Sequence, residues 1–295
     1  MTEPQGGLVA KPVLVPVPEP PRLLRADGTN PFADRIRLYL RPRAALSANE
    51  RVVISTCGVV GFLAIWLLVT EARWIQPFFL PSPILVAKRL AAMLLEGGYL
   101  LDIWASCFRV LGGFLVAAVF AIPIGVLIGN FQFFRYLVEP LLSTARYLPA
   151  SAFVPLMIIW LGINESQKIA VIFIGTFFPL VLFVASISEG VSNDLLNGAY
   201  SLGASSRQVF FRVLLPACIP SIVDSLRITV GIAWTYVIVA ELVGADSGMG
   251  IAILQSQRFL LTDQVIAGIV AVGLLGIATD AVFRFVHRKL FPYMY

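Results

Sequence analysis

The sequence predicts an all-α integral membrane protein with six transmembrane helices. Hydrophobic residues make up 58% of the 295 residues and charged residues only 13%, about half the charged share of an ordinary soluble domain. Six stretches without a charged residue approach the roughly 20 residues that cross a bilayer; they cover 52–70, 110–129, 147–163, 169–188, 228–240 and 264–279. This composition excludes a soluble enzyme, a disordered chain and a secreted disulfide scaffold.

Lysine and arginine predict the orientation of these spans. Six spans leave both chain ends on the same side of the membrane. With the N-terminus inside, the cytoplasmic segments hold 16 of the 22 Lys and Arg residues. Because cytoplasmic loops of membrane proteins are enriched in positive charge, we expect an N-in/C-in arrangement.

The chain divides into three predicted regions. Residues 1–50 hold eight prolines and seven basic residues, which predicts a disordered cytoplasmic tail whose arginines could also lie on anionic lipid headgroups. Residues 51–102 contain the first transmembrane helix and an outer interfacial segment, with a short helix expected at 84–95. Residues 103–290 form the main transmembrane domain.

Catalytic and metal chemistry are not expected of this chain. His287 is the only histidine, so no Ser/His/Asp triad and no membrane-embedded hydrolase can be built around it. The three cysteines are isolated from one another, which disfavours a thiolate metal site. No Walker-type phosphate loop is present. We therefore predict no catalytic residue, no metal site, no bound cofactor and no nucleic-acid partner.

The loop between the fourth and fifth spans carries the functional signal. It covers 189–227 and is longer and more apolar than a plain connection. Gly203 is predicted to end one short helix, and Ser205 or Ser206 can cap a second one. Pro216 is expected to mark the turn into the fifth span. The pattern predicts a short helix presented to the cytosol, as a docking element requires.

These residues resemble the EAA motif of binding-protein-dependent ABC importer permeases. The motif spacing Ala-x3-Gly-x9-(Ile/Val)-x-Leu-Pro is matched by Ala199, Gly203, Val213, Leu215 and Pro216. Flanking sequences similar to the nitrate/sulfonate/bicarbonate and taurine branch are Arg109-Val-Leu-Gly-Gly, Ala240-Glu-Leu and Gly248-Met-Gly. The resemblance covers roughly residues 75–290. Asn197-Gly198 stands where the motif opens with Glu-Ala.

The resemblance implies a type I ABC importer permease fold and the role of permease subunit in the bacterial inner membrane. Such a subunit forms the path for a small anion (nitrate, bicarbonate or an organic sulfonate such as taurine) brought by an extracytoplasmic substrate-binding protein. The implied partners are a second permease copy, two cytoplasmic ATP-binding subunits, that binding protein and membrane lipid. ATP and Mg would be bound by the ATPase subunits, so this chain is no enzyme.

An ion-gradient-driven secondary carrier is the alternative function. It would need buried ionisable groups near the middle of the membrane. The first four apolar stretches contain none. This alternative also leaves the motif at 199–216 without a role.

The resemblance further implies a coupling helix near 195–211 that docks on the ATPase subunit. The residues expected to make or shape this contact are Asn197, Ala199, Leu202, Gly203, Ala204, Arg207, Leu215 and Pro216. Gly203 either allows close backbone approach at the groove or is a simple helix C-cap.

Six polar or aromatic residues in or near the spans are candidates for the translocation path: Arg146, Trp160, Thr176, Phe177, Trp234 and Glu241. Arg146 could attract an anion or anchor the cytoplasmic end of its span. The aromatic side chains could line the path, pack internally or face lipid. Glu241 could close an outer gate or hold neighbouring backbone. Asp280 is expected to pair with Arg284 one helical turn later.

Overall fold

A computed structural model describes residues 47–95 and 98–294, and the secondary structure of this part is helical. In chain order the helices are α1 (Ala48–Glu71), α2 (Pro83–Leu95), α3 (Tyr99–Asn130), α4 (Gln132–Ala145), α5 (Val154–Leu161), α6 (Glu165–Glu189), α7 (Asn193–Ser201), α8 (Ser206–Val209), α9 (Leu215–Glu241), α10 (Met249–Arg258) and α11 (Thr262–Leu290). Short 3₁₀ turns occupy Ala150–Phe153 and Pro292–Met294, and a π turn occupies Phe210–Leu214. The predicted tail lies almost entirely outside the described residues.

Five helical runs in the described residues are long and apolar enough to cross a membrane. They are Asn49–Glu71, Tyr99–Asn130, Glu165–Glu189, Ser206–Glu241 and Thr262–Leu290, and a bent pair of helices makes a sixth if the pair is counted as one span. The described part of the chain divides into two units within the first span, between Phe62 and Leu63. The all-α class is confirmed with five or six spans, according to whether the bent pair is one span, and the N-in/C-in orientation stays a prediction.

The second and fifth spans begin well before the uncharged stretches that predicted them. The second span begins at Tyr99 rather than at residue 110, and the fifth belongs to a helical run that begins at Ser206 rather than at residue 228. Charged side chains had ended both stretches. Arg109 and Arg227 nevertheless lie within helices, because each has an acidic partner on another helix: Glu241 at 2.7 Å and Asp280 at 3.6 Å.

The third predicted span, over 147–163, does not form one straight helix. The chain instead forms α4, turns, and resumes as the 3₁₀ turn and α5, with an angle of 87° between the two halves. Pro149 explains the break, because its ring fixes its own φ at −66° and disfavours helical backbone at the residue before it. At eight residues, α5 is too short to cross a bilayer alone.

Two local predictions are confirmed. The short helix expected at 84–95 is α2, although its place in the membrane interface stays a prediction. Asp280 forms an ion pair with Arg284 one turn later, with 2.9 Å between Oδ2 and Nη2. Arg227 of α9 also approaches Asp280, so this pair links α9 to α11.

Helices α3 and α6 pack closely at the centre of the second unit. Glycines of α3 lie where a side chain would collide with α6. A Cβ added at Gly113 would lie 2.7 Å from Ile172, and one at Gly125 would lie 2.7 Å from the carbonyl oxygen of Val181. Such small-residue contacts let helix backbones approach within a membrane. The surrounding side chains, among them Leu180, are fully buried.

We expect Gly125→Ala to lower the thermal stability of the detergent-solubilised protein. The added methyl group would press on Val181 and Val184, and overpacking of this kind costs roughly 1–3 kcal/mol. Gly58→Ala in α1 is the matched control, because its added Cβ meets nothing within 4 Å. Unfolding midpoints measured by heating and size-exclusion chromatography should fall only for Gly125→Ala. Equal midpoints would show that α3 and α6 are not in tight contact.

Candidate functional site

Residues 193–211 form two short helices joined by a tight turn, and we call them the coupling segment. The hydroxyl of Ser192 accepts a hydrogen bond from the Asp194 N–H and so caps α7. Gly203 then adopts φ +81°, a left-handed conformation that favours glycine. Ser205 caps α8 in a reciprocal capping box, in which Gln208 accepts a hydrogen bond from the Ser205 N–H at 2.8 Å.

The coupling segment is exposed on one side and anchored on the other. Leu202, at the turn, is 90% exposed. Val209 is buried beneath α8, and Phe210 packs on Phe131 with 5.7 Å between ring centroids. The segment is therefore held by its inner side while its turn stays accessible.

The structure brings the predicted coupling residues together. The exposed ones are Asn197, Leu202, Gly203, Arg207 and Pro216, and the half-buried ones are Ala199, Ala204 and Leu215. A Cβ added at Gly203 would have no other atom within 4 Å. Its left-handed backbone therefore forms the turn, and its surface stays open to a partner. The docking role of these residues stays a prediction.

Pro216 does not mark a turn, which corrects the sequence prediction. The chain is helical from Ser206 to Glu241, a run of 36 residues. Pro216 lies in the first turn of α9, where a missing N–H is tolerated. The wider π turn at Phe210–Leu214 comes directly before it and absorbs the change in hydrogen bonding. The coupling segment is thus joined to a long helical run that ends at Glu241.

Three of the six path candidates are fixed by contacts within the chain. The hydroxyl of Thr176 is buried and donates back to the Ile172 carbonyl at 2.7 Å. Trp234 is buried and donates from Nε1 to the Thr279 hydroxyl at 3.2 Å. Phe177 stacks on Phe173, with 5.1 Å between centroids.

Two other candidates are exposed. The guanidinium of Arg146 donates to the Tyr147 hydroxyl at 2.9 Å and lies 4.8 Å from the centre of its ring. Trp160 in α5 is 66% exposed. Within the described part of the chain, no hydrogen bond joins any two of the six candidates, so their shared role in a path stays a prediction.

Glu241, the sixth candidate, lies in a buried polar cluster that sequence reasoning missed. Its Oε1 accepts hydrogen bonds from Arg109 Nη1 and the Ser106 hydroxyl, both at 2.7 Å. Its Oε2 accepts from the Gly250 N–H at 2.8 Å. The contact with Gly250 agrees with the expectation that Glu241 holds neighbouring backbone.

Arg109 joins this cluster to the beginning of α6. Its Nε and Nη2 donate to both carboxylate oxygens of Glu165, at 2.6 and 2.7 Å. Its Nη1 also donates to the Ser247 carbonyl at 2.7 Å. Fork-shaped pairs of this kind are among the stronger hydrogen bonds in proteins. The sequence analysis had placed Arg109 outside the second span.

One local signal for this cluster was present in the sequence. Asp102, Ser106 and Arg109 stand four and then three residues apart, which places them on one face of a helix. Their partners near Gly248 are more than 130 residues away, so the pairing itself needed the fold. Among the described residues, no group of His, Cys, Asp or Glu has the arrangement of a metal site.

Comparison with known proteins decides the family. The family described as "binding-protein-dependent transport system inner membrane component" matches residues 121–292. The chain belongs to this family. The taurine transport system permease protein TauC of Escherichia coli K12 is 32% identical over 259 residues, which cover 86% of this permease and 94% of TauC. The nitrate import permease protein NrtB of a Synechocystis species is 28% identical, covering 86% of this permease and 96% of NrtB.

A solved structure shows the same fold. A chain of the MetNI methionine ABC transporter, captured in inward-facing conformations, superposes with a TM-score of 0.54 at 20% identity. The match covers 66% of this permease and 98% of that chain. The family match and the sequence relatives confirm the resemblance to ABC importer permeases of the taurine, sulfonate and nitrate branch.

Family membership establishes the general role of the permease. It is a multi-pass transport subunit of the bacterial inner membrane. Its family works with a substrate-binding protein and with ATPase activity that lies in a separate subunit. The transport is thus ATP-driven, and the permease supplies the membrane part of the transporter.

Proposed function

We propose that the permease forms the path by which a small anion enters the cell. Nitrate, bicarbonate and an organic sulfonate such as taurine are the candidate substrates. Relatives of similar length are named for taurine and for nitrate, which supports this class without choosing a member of it. Both substrates present compact groups of acceptor oxygens, so one architecture can serve either.

The coupling segment is the observation that supports the ATP-driven part of this proposal. It presents Leu202 on a glycine turn, with a capping box to fix the helix that follows. It then continues into the helical run from Ser206 to Glu241, about 54 Å long at 1.5 Å per residue. Movement of a docked ATPase subunit is thereby transmitted along a single helical run through the membrane.

The proposed complex has two copies of the permease, two ATP-binding subunits and one extracytoplasmic binding protein. In this arrangement the permease is N-in/C-in and its coupling segment faces the cytosol. The exposed residues Asn197, Leu202 and Arg207 contact the ATPase subunit. ATP and Mg are bound by the ATPase subunits alone.

The path is proposed to run along the outer face of α9. A cavity of about 490 Å³ lies there between α9 and α11, beside Trp234. Gly231 and Gly273 line it without side chains, and space remains open around both. In a pair of permeases this cavity provides room for a small anion. Arg146 and Trp160 are not among its lining residues, and their part in the path stays a prediction.

A secondary carrier gains little support from the buried charges. Arg109 and Glu241 are buried ionisable groups, as a carrier would need. However, each is held by several hydrogen bonds to the other and to neighbouring groups. They also lie where α9 ends rather than midway along it. This arrangement favours a structural role over proton or ion transfer.

ATP hydrolysis by the reconstituted complex tests the proposed substrate class. We expect stimulation by a binding protein loaded with one of nitrate, bicarbonate or taurine, and much weaker stimulation by the same protein without ligand. The stimulating pair identifies the substrate. The proposal is wrong if the complex hydrolyses ATP but responds to none of the three loaded proteins.

A further inference from the structure

The first turn of α10 is capped by side chains from two other helices. The first N–H groups of a helix have no partner within it. Here the Gly248 N–H donates to Asp102 at 2.7 Å and the Met249 N–H donates to the Ser106 hydroxyl at 2.9 Å. The Gly250 N–H donates to Glu241 at 2.8 Å. Helices α3 and α9 thus hold three successive N–H groups of α10.

The backbone of this turn is shaped to fit Glu241. Gly248 has φ +124°, and a Cβ there would lie 2.5 Å from the Glu241 carboxyl carbon. A Cβ at Gly250 would lie 2.7 Å from Glu241 Cβ. The Gly-Met-Gly sequence therefore lets the carboxylate reach the N–H groups, where the helix dipole favours a negative charge. We call the set of Asp102, Ser106, Arg109, Glu241 and the turn at 248–250 the clamp.

Opening the clamp would leave the buried Glu241 carboxylate without its cation. The Arg109 side chain is 2% exposed, and the Glu241 side chain is 0% exposed. Separating this pair is strongly unfavourable, because the buried Glu241 loses its cation, whereas Arg109 keeps Glu165. The clamp therefore stays closed while larger parts of the permease move.

The position of the clamp gives it a role beyond stability. Glu241 is the last residue of the helical run that begins at Ser206, beside the coupling segment. The far end of that run is thereby fastened to α10. A displacement of the coupling segment is passed to α10 only while Glu241 holds the first turn of α10.

We infer that Glu241 and Arg109 are positioning residues of the transport cycle. They keep α10 fixed to α9, so that ATP-driven motion at the coupling segment moves α10 at the opposite end. This inference rests on the proposed ATP-driven import. Neither residue needs to touch the substrate.

Two substitutions that disturb the clamp differently test this inference. Glu241→Gln keeps the shape of the side chain but removes its charge and one acceptor oxygen. Gly250→Ala removes no charge and separates α10 from Glu241 by steric contact. We expect both to lower substrate uptake per ATP hydrolysed by about tenfold, the size of a typical coupling energy, while the ATPase subunits still co-purify.

Glu165→Gln is the matched control. Glu165 binds the same arginine, but its side chain is 51% exposed and its described hydrogen bonds do not reach α10. Its uptake per ATP should match the wild type. If the two clamp variants lower uptake and ATP hydrolysis in equal proportion, the clamp only stabilises the fold and the inference is wrong. Absence of ATP-driven uptake in the wild type would instead refute the proposed function.

Discussion

Arg109→Ala is expected to destabilise the permease strongly. It would leave Glu241 buried and without its cation, while Ser106 and the Gly250 N–H remain as partners. Removing one partner of a buried pair typically costs about 3–5 kcal/mol. We expect a large fall in the unfolding midpoint in detergent and a low yield of folded protein from membranes.

Arg89→Ala provides the comparison for this prediction. Arg89 forms an ion pair with Asp263 at the same 2.7 Å, but its side chain is 38% exposed. Exposed pairs contribute about 0–1 kcal/mol, so its unfolding midpoint should stay close to that of the wild type. If both variants unfold at the same temperature, burial does not set the strength of the Arg109 pair.

Leu202→Asp is expected to release the ATPase subunits from the complex. Leu202 is the most exposed apolar residue of the coupling segment, and a charge there would have to be desolvated on docking. A central apolar contact of an interface is often worth 2 kcal/mol or more, so we expect affinity to fall at least about tenfold. The amount of ATPase subunit that co-purifies with the tagged permease measures this.

Leu95→Asp separates docking from general damage. Leu95 is 85% exposed at the end of α2, outside the coupling segment. The substitution introduces the same charge as Leu202→Asp, at a residue of nearly the same exposure. Its complex should keep the ATPase subunits. Equal retention of ATPase by both variants would show that the coupling segment is not the docking surface.

The features that depend on neighbouring residues were predictable from the sequence. The apolar stretches predicted the spans, because a helix that crosses a bilayer needs about 20 mostly apolar residues regardless of its tertiary contacts. The turn at Gly203 and the cap at Ser205 were predictable for a similar reason. Both depend on backbone conformation and hydrogen bonds within a few residues.

The features that depend on distant contacts were not predictable. The second span was predicted too short because the charged Arg109 ends the apolar stretch. In the fold, Glu241 and Glu165 compensate its charge, so the helix continues past it. The bend of the third span combines Pro149 with packing around α6 that no stretch of sequence displays. The clamp joins residues near 106 to residues near 249, so only the fold brings them together.

Uptake into sealed proteoliposomes is the most direct test of the central claim, that the permease is the membrane path of an ATP-driven anion importer. The vesicles would hold the full complex, ATP inside and the loaded binding protein outside. We expect substrate to accumulate only with ATP, at the same rate after ionophores collapse all ion gradients. Accumulation driven by an ion gradient without ATP would contradict the claim and favour a secondary carrier.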